Sequence, residues 1–153
     1  WSLTHDDGQR TEELNGSDIV LVGVSRTSKT PTCLYLANRG IKAANVPYVP
    51  GVPLPDILEQ LTNPLVIGLT NDPKRLVELR RARLTSLHEH QETDYVDPEV
   101  VRAEITQARR YFARNNWPVI DVTRRSIEET SAAIMNVYNR RLEEAEKSDD
   151  AAG

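Results

Sequence analysis

Asp18-Ile19-Val20-Leu21-Val22-Gly23-Val24-Ser25-Arg26-Thr27-Ser28-Lys29-Thr30-Pro31 is the stretch whose reading decides the fold. Its apolar, β-branched first half lies between an acidic residue and a glycine, the pattern of a strand buried on both faces of a parallel sheet. Gly23 and the pair Lys29-Thr30 then stand at the spacing of the phosphate-loop pattern G-x-x-x-x-G-K-[ST], and Thr32 to Arg39 beyond them suit a helix. Ser28 takes the place of the pattern's second glycine.

The chemistry explains the spacing. A tight turn after a strand aims successive backbone N–H groups at one small volume, and the helix that starts there adds its unpaired N–H groups and positive dipole end. Such a volume suits a phosphate. Gly23, Val24, Ser25, Arg26, Thr27, Ser28, Lys29 and Thr30 are therefore the expected nucleotide-binding residues, with Lys29 bringing an ammonium to the outer phosphates. The Thr30 hydroxyl is the candidate ligand for a bridging magnesium ion. Ser28 makes a positive φ costlier than glycine would, while its hydroxyl offers the phosphate a donor.

The chain has 153 residues, 39% of them hydrophobic and 27% charged, which fits one globular domain. A net charge of −4 gives no general reason to expect a nucleic-acid partner. Cys33, the single cysteine, excludes an internal disulfide and fits a reducing cytoplasm, with a place on the buried face of the first helix. No run approaches the length of a membrane span and no signal-peptide pattern opens the chain, so a soluble cytoplasmic protein is expected.

The alternation of strand, loop and helix predicts a P-loop NTPase-like three-layer α/β/α domain with a mostly parallel sheet. Residues 1–17 read as a polar lead-in, 18–146 as the α/β domain and 147–153 as a disordered tail. Further strands are expected at Asn45–Pro50, where Pro47 suggests an edge or a strand start, at Pro64–Thr70 and at Trp117–Thr123. Helices are expected at Asp56–Leu61, after Asn71-Asp72-Pro73, after Asp97-Pro98, and after the capping box Ser126-Ile127-Glu128-Glu129. Ligands of such sheets sit at the carboxyl ends of the strands. Arg80 and Arg83, on the helix after Asp72, are candidates for a lid that approaches a nucleotide phosphate, or else part of a solvated basic face. His5-Asp6-Asp7-Gly8 collects two carboxylates and an imidazole at a turn; by composition it serves either as a turn or as a site for proton transfer or magnesium. His88 and His90, two apart in a polar loop, lack the one-face placement of a helical metal pair.

Taken together, His5-Asp6-Asp7-Gly8, Val20 to Pro31 with its Ser-Arg-Thr-Ser-Lys-Thr-Pro run, and Tyr35-Leu36-Ala37 resemble the bacterial pyruvate, phosphate dikinase regulatory proteins and their relatives, the phosphoenolpyruvate synthase regulatory proteins. Gly68-Leu69-Thr70, the Arg80 to Leu84 segment, and Val119 to Thr123 leading into Ser126 to Thr130 are similar too. Members of that family carry serine or glycine at the position of Ser28. They extend well upstream of the His-Asp-Asp-Gly element, so the chain looks like their carboxyl-terminal, nucleotide-binding portion.

The resemblance implies a bifunctional enzyme. One activity phosphorylates a threonine of the dikinase with ADP as donor; the other removes that group with inorganic phosphate and releases pyrophosphate. Lys29 is then expected at the phosphates, and His5, Asp6 and Asp7 as the catalytic acid or base, with Mg2+ if a metal is used. The expected partner is the dikinase or, alternatively, the synthase; no nucleic-acid or membrane partner is expected, and a homodimer is compatible with the sequence. Two other readings stay open on the residues alone: a P-loop small-molecule kinase or nucleotide hydrolase, and a noncatalytic phosphate-binding fragment.

Overall fold

The computed structural model describes residues 2–4, 14, 16–24, 26–49, 64–86 and 96–152. Among these it contains strands β1 (Ser2–Thr4), β2 (Ile19–Gly23), β3 (Ala43–Pro47), β4 (Leu65–Thr70) and β5 (Val119–Asp121). The helices are α1 (Lys29–Ala37), α2 (Pro73–Ser86), α3 (Pro98–Arg114) and α4 (Ile127–Ala152). The strands form one sheet in the order β1-β3-β2-β4-β5, and every pairing is parallel. The phosphate-loop strand β2 lies at its centre, which is why all five of its residues are buried.

Alternation along the strands divides the core into two layers. Ile19 and Leu21 of β2 and Leu65, Ile67 and Leu69 of β4 face Cys33 and Leu36 of α1 and Ile134 of α4. Val20, Val22 and Val66 face Leu76 and Val77 of α2 and Val101, Ile105, Ala108 and Phe112 of α3. This is the expected three-layer arrangement. At Gly68 the missing side chain admits the Phe112 ring: a Cβ there would lie 2.3 Å from it.

Several helix ends follow the local signals. Asp97 accepts from the N–H groups of Glu99 (2.9 Å) and Val100 (3.3 Å), with Pro98 in the first turn of α3. Ser126 and Glu129 form the reciprocal capping box, Glu129 N donating to Ser126 Oγ at 3.0 Å and Ser126 N to Glu129 Oε1 at 3.2 Å. Gly40, at φ 83°, turns the chain out of α1 as Ile41 N returns to Leu36 O at 3.0 Å.

Other expectations need correcting. β3 is an interior strand between β1 and β2, and Pro47 is its last residue, not its start. There the absent N–H interrupts nothing, because Tyr48 N donates to Gly23 O at 2.8 Å. α4 runs on to Ala152, across residues 147–152 of the segment read above as a tail. Arg140, Arg141, Glu143, Glu144, Glu146 and Lys147 are good helix formers, and Tyr138 is the last residue packed on the core. The helix expected at Asp56–Leu61 and the pair His88 and His90 lie outside the described residues. No helix among the described residues is long and apolar enough to cross a membrane.

Candidate functional site

The chain leaves β2 and β4 for opposite faces of the sheet, to α1 and α2 respectively. Such a divergence opens a crevice at the strands' carboxyl ends, and the loop from Val24 to Ser28 occupies it. Gly23 is needed here for space. A Cβ on it would lie 2.8 Å from Thr27 Oγ1 and 2.9 Å from the Leu69 carbonyl oxygen. Thr27, fully buried, donates its hydroxyl to Val24 O at 2.8 Å and so closes the loop on itself.

Arg26 and Ser28 both have left-handed backbones, at φ 69° and 65°, and flank Thr27. Alternation of this kind turns successive N–H groups to one side, the geometry of an anion-binding nest. The φ of Ser28 also explains why the pattern has glycine there. Ser28 immediately precedes α1 and makes no side-chain capping bond. Lys29 and Thr30, first in the helix, have no intrahelical acceptor for their N–H groups, which leaves them for a ligand.

The Lys29 ammonium is folded back over the loop. Nζ donates to Val24 O at 2.6 Å and to Thr27 Oγ1 at 3.2 Å. Burial is the main reason its pKa is lowered from 10.5 to about 8, and the Arg80 and Arg26 guanidinium groups push in the same direction. Burial pushes the Cys33 thiol up to about 12, so at neutral pH it is uncharged and gives the lysine no counter-ion. Cys33 is accordingly a core residue, as its position on α1 requires.

Arg26, Thr27, Ser28, Lys29, Thr30 and Pro31 line a cleft of about 360 Å³, completed by Pro47 after β3 and by Leu79 and Arg83 of α2. Among the described residues its charged lining groups are all cations, and its volume falls within the roughly 300–1,000 Å³ of ligand pockets. The two candidate lid arginines part company. Arg83 lines the cleft, whereas Arg80 is 1% exposed and bound to Glu104 of α3, NH1 to Oε2 at 2.8 Å and NH2 to Oε1 at 3.2 Å. Arg80 therefore acts as a buried strut between α2 and α3, close enough to Lys29 to depress its pKa while Glu104 raises it.

Thr30 is exposed, and its Oγ1 accepts from Asn45 Nδ2 of β3 at 3.0 Å. A magnesium ion in a phosphate loop is ordinarily held by this hydroxyl and a carboxylate from a neighbouring strand. Among the described residues no three His, Cys, Asp or Glu side chains stand together, and the side chain that meets the Thr30 hydroxyl is the neutral Asn45 of β3; Asp72, after β4, accepts from Arg75 N at 3.1 Å at the start of α2. Asp121 accepts from the N–H and the hydroxyl of Thr123, a turn at the end of β5. His5, Asp6 and Asp7, like Ser25, lie outside the described residues. The strand before them, β1, runs parallel to β3 with Thr4 opposite Asn45, so it points toward the loop's edge of the sheet.

Asn45, Pro47, Leu79 and Glu104 belong to the surroundings of the loop and carry no motif. Asn45 alone had a signal: it is the one strongly polar residue inside the otherwise apolar run from Ala43 to Val46.

The chain is 62% identical over 143 residues to a Paramagnetospirillum magneticum protein named "Putative pyruvate, phosphate dikinase regulatory protein", covering 94% of this chain and 46% of the relative. Proteins of the same name from Caulobacter vibrioides and Hyphomonas neptunium are 59% identical over 139 residues and 57% over 143. Those matches cover 91% and 92% of this chain but 44% and 51% of the relatives. The chain thus spans about half the length of the curated relatives it matches. The model of the kinase/pyrophosphorylase family matches residues 1–135, and the chain belongs to that family.

Proposed function

We propose that this chain is the nucleotide-holding portion of a bifunctional regulator of pyruvate, phosphate dikinase. In one direction ADP donates its terminal phosphoryl group to a threonine hydroxyl of the dikinase and AMP departs. In the other, inorganic phosphate takes that group from the phosphothreonine and leaves as pyrophosphate. The observation that carries the proposal is the cationic cleft at the end of β2, where the Lys29 ammonium and two left-handed loop residues surround one anion-sized volume.

Both directions ask the same work of the loop. Phosphoryl transfer depends on charge neutralisation and in-line placement more than on covalent chemistry by the protein. The N–H groups of residues 24–30 and the Lys29 ammonium hold the phosphate next to the reacting one. Arg83, and Arg26 at the rim, balance the charge that spreads over the transferring oxygens. A threonine hydroxyl is a weak nucleophile at neutral pH and needs a base; Asp6 or Asp7 takes its proton in this proposal, with His5 as the acid or base of the return step. The kinase/pyrophosphorylase family match and the names of the relatives support it.

The test uses the full-length enzyme, purified dikinase and ADP labelled at its terminal phosphate. Label should pass to the dikinase, and chase with inorganic phosphate should release labelled pyrophosphate. Lys29→Ala should abolish both. Label transfer to phosphoenolpyruvate synthase instead would reassign the target, and near-normal turnover by Lys29→Ala would remove the loop from the mechanism.

A further inference from the structure

The cleft is lined by three elements of different chemistry. The loop and the start of α1 supply Lys29 and the hydroxyl residues Ser28 and Thr30, β3 ends in it at Pro47, and α2 supplies Leu79 and Arg83. Leu79 and Arg83 are four residues apart, so they share one face of α2, about 6 Å apart along its axis. Leu79 is half-buried, yet it lines the cleft and belongs to neither core layer of the described residues, where Leu76 and Val77 represent α2. Pro47 is half-buried in the same cleft and outside the same layers. Inorganic phosphate and pyrophosphate present only charged or polar oxygens, which gain nothing from a leucine or proline side chain. A nucleoside diphosphate presents such oxygens too, together with rings whose faces release water on contact with apolar side chains.

We infer that Leu79, with Pro47, forms the nucleoside-facing wall of the cleft and so separates the phosphoryl donor from the inorganic ligands of the same loop. Lys29, Arg26, Arg83 and the loop N–H groups take the phosphates of either ligand class. Only a nucleoside diphosphate goes on to cover Leu79 and Pro47. The wall therefore serves the direction in which the donor carries a nucleoside. It adds nothing to the return direction, in which inorganic phosphate enters and pyrophosphate leaves. Leu79 is thus a specificity-determining residue that touches a part of the donor that does not react. The inference rests on the phosphate-binding assignment proposed above and adds the ligand class that the rest of the cleft selects.

Calorimetric titration of the full-length enzyme that contains this chain, with ADP and separately with pyrophosphate, tests it. Leu79→Asn keeps a similar shape and removes the apolar surface. It should lower ADP affinity about three- to tenfold and leave pyrophosphate affinity within about twofold of wild type. Lys29→Ala and Arg83→Ala should weaken both ligands. With dikinase present, Leu79→Asn should raise KM for ADP and leave KM for inorganic phosphate in the return direction unchanged. Leu79 lies outside the core layers, so Leu79→Asn should melt near wild type; if it fails to fold, Leu79→Ala, a change that a helix favours, makes the same comparison. A loss shared equally by ADP and pyrophosphate, or ADP binding that matches wild type, overturns the inference and leaves the phosphate site intact so long as Lys29→Ala weakens both ligands. A wild-type enzyme that binds neither ligand, or binding that survives Lys29→Ala unchanged, overturns the phosphate site itself.

Discussion

Lys29 Nζ donates to the carbonyl oxygen of Val24 at 2.6 Å, so the cation of the phosphate loop is bound to the loop's own backbone. An ammonium has three donors. Two are taken, by Val24 O and Thr27 Oγ1, and these hold the third in place for a ligand. The lysine is thus prepositioned, and its burial sets two measurable pH dependences.

Phosphate affinity should fall above about pH 8, because Lys29 then loses its proton in the free chain. A bound phosphate restores the charge, so binding near pH 8.5 should take up a fraction of a proton. Titration calorimetry in buffers of different ionisation enthalpy reads this directly, and Lys29→Arg should abolish the uptake. Proton release on binding would contradict the assignment. For stability the sign is opposite. Below pH 8 both folded and unfolded chains carry the proton, and the full burial cost is present; between 8 and 10.5 only the unfolded chain does, so this group makes stability rise with pH. A shift of this size corresponds to about 3 kcal/mol. Lys29→Met should therefore stabilise the fold by about 1–3 kcal/mol at pH 7 and lose that advantage by about pH 10.5, as denaturant melts would show.

Ser28→Gly should leave the loop's shape unchanged and relieve its left-handed backbone. The expected gain is about 0.5–1 kcal/mol, the steric cost of a Cβ there less the extra freedom of glycine in the unfolded chain. Thermal melts should move up by a few degrees, and Ser28→Ala should not, because the serine makes no capping bond that alanine would lose. A Ser28→Gly chain less stable than wild type would show that the serine hydroxyl holds the loop.

Alanine at the two close-packed glycines should separate site from scaffold. Gly68→Ala drives a Cβ to 2.3 Å from the Phe112 ring, a core clash costing about 1–3 kcal/mol or more. Gly68→Ala combined with Phe112→Leu should recover part of it. Gly23→Ala meets Thr27 Oγ1 at 2.8 Å and the Leu69 carbonyl at 2.9 Å. Removing the first contact with Thr27→Ala leaves the backbone contact, so the pair should stay defective in phosphate binding. Normal affinity in Gly23→Ala would mean that the loop's bend does not depend on this approach.

Local chemistry was legible in the sequence, and tertiary partnership was not. The central strand, the loop, Asp97 and the Ser126-Glu129 box are set by residues within a few positions of one another. Pro47 shows the limit of a local rule: proline marks edges because it lacks an N–H, yet an interior strand tolerates it as the terminal residue. Asn45 meets Thr30 only because β3 lies beside β2, an order that no single segment encodes. An arginine on a charged helix reads as a surface cation; Arg80 is buried because a carboxylate on another helix receives it.

That pair supports the last prediction. Removing one partner of a buried ion pair leaves an uncompensated charge and costs about 3–5 kcal/mol, whereas replacing both with apolar residues is often close to neutral. Glu104→Gln should therefore destabilise strongly. Because Glu104 raises the Lys29 pKa, it should also shift the loss of phosphate affinity to lower pH. The Arg80→Met, Glu104→Leu double variant should regain most of the stability. Its phosphate affinity should stay within about threefold of wild type, since the bidentate contact keeps Arg80 behind the loop and the cleft lining includes Arg83 but not Arg80. A folded double variant that loses affinity by tenfold or more would instead mean that Arg80 leaves Glu104 for the phosphate when ligand arrives. Arg83→Ala separates the two arginines: it removes a cation that lines the cleft and is exposed, so it should weaken phosphate binding with little effect on melting.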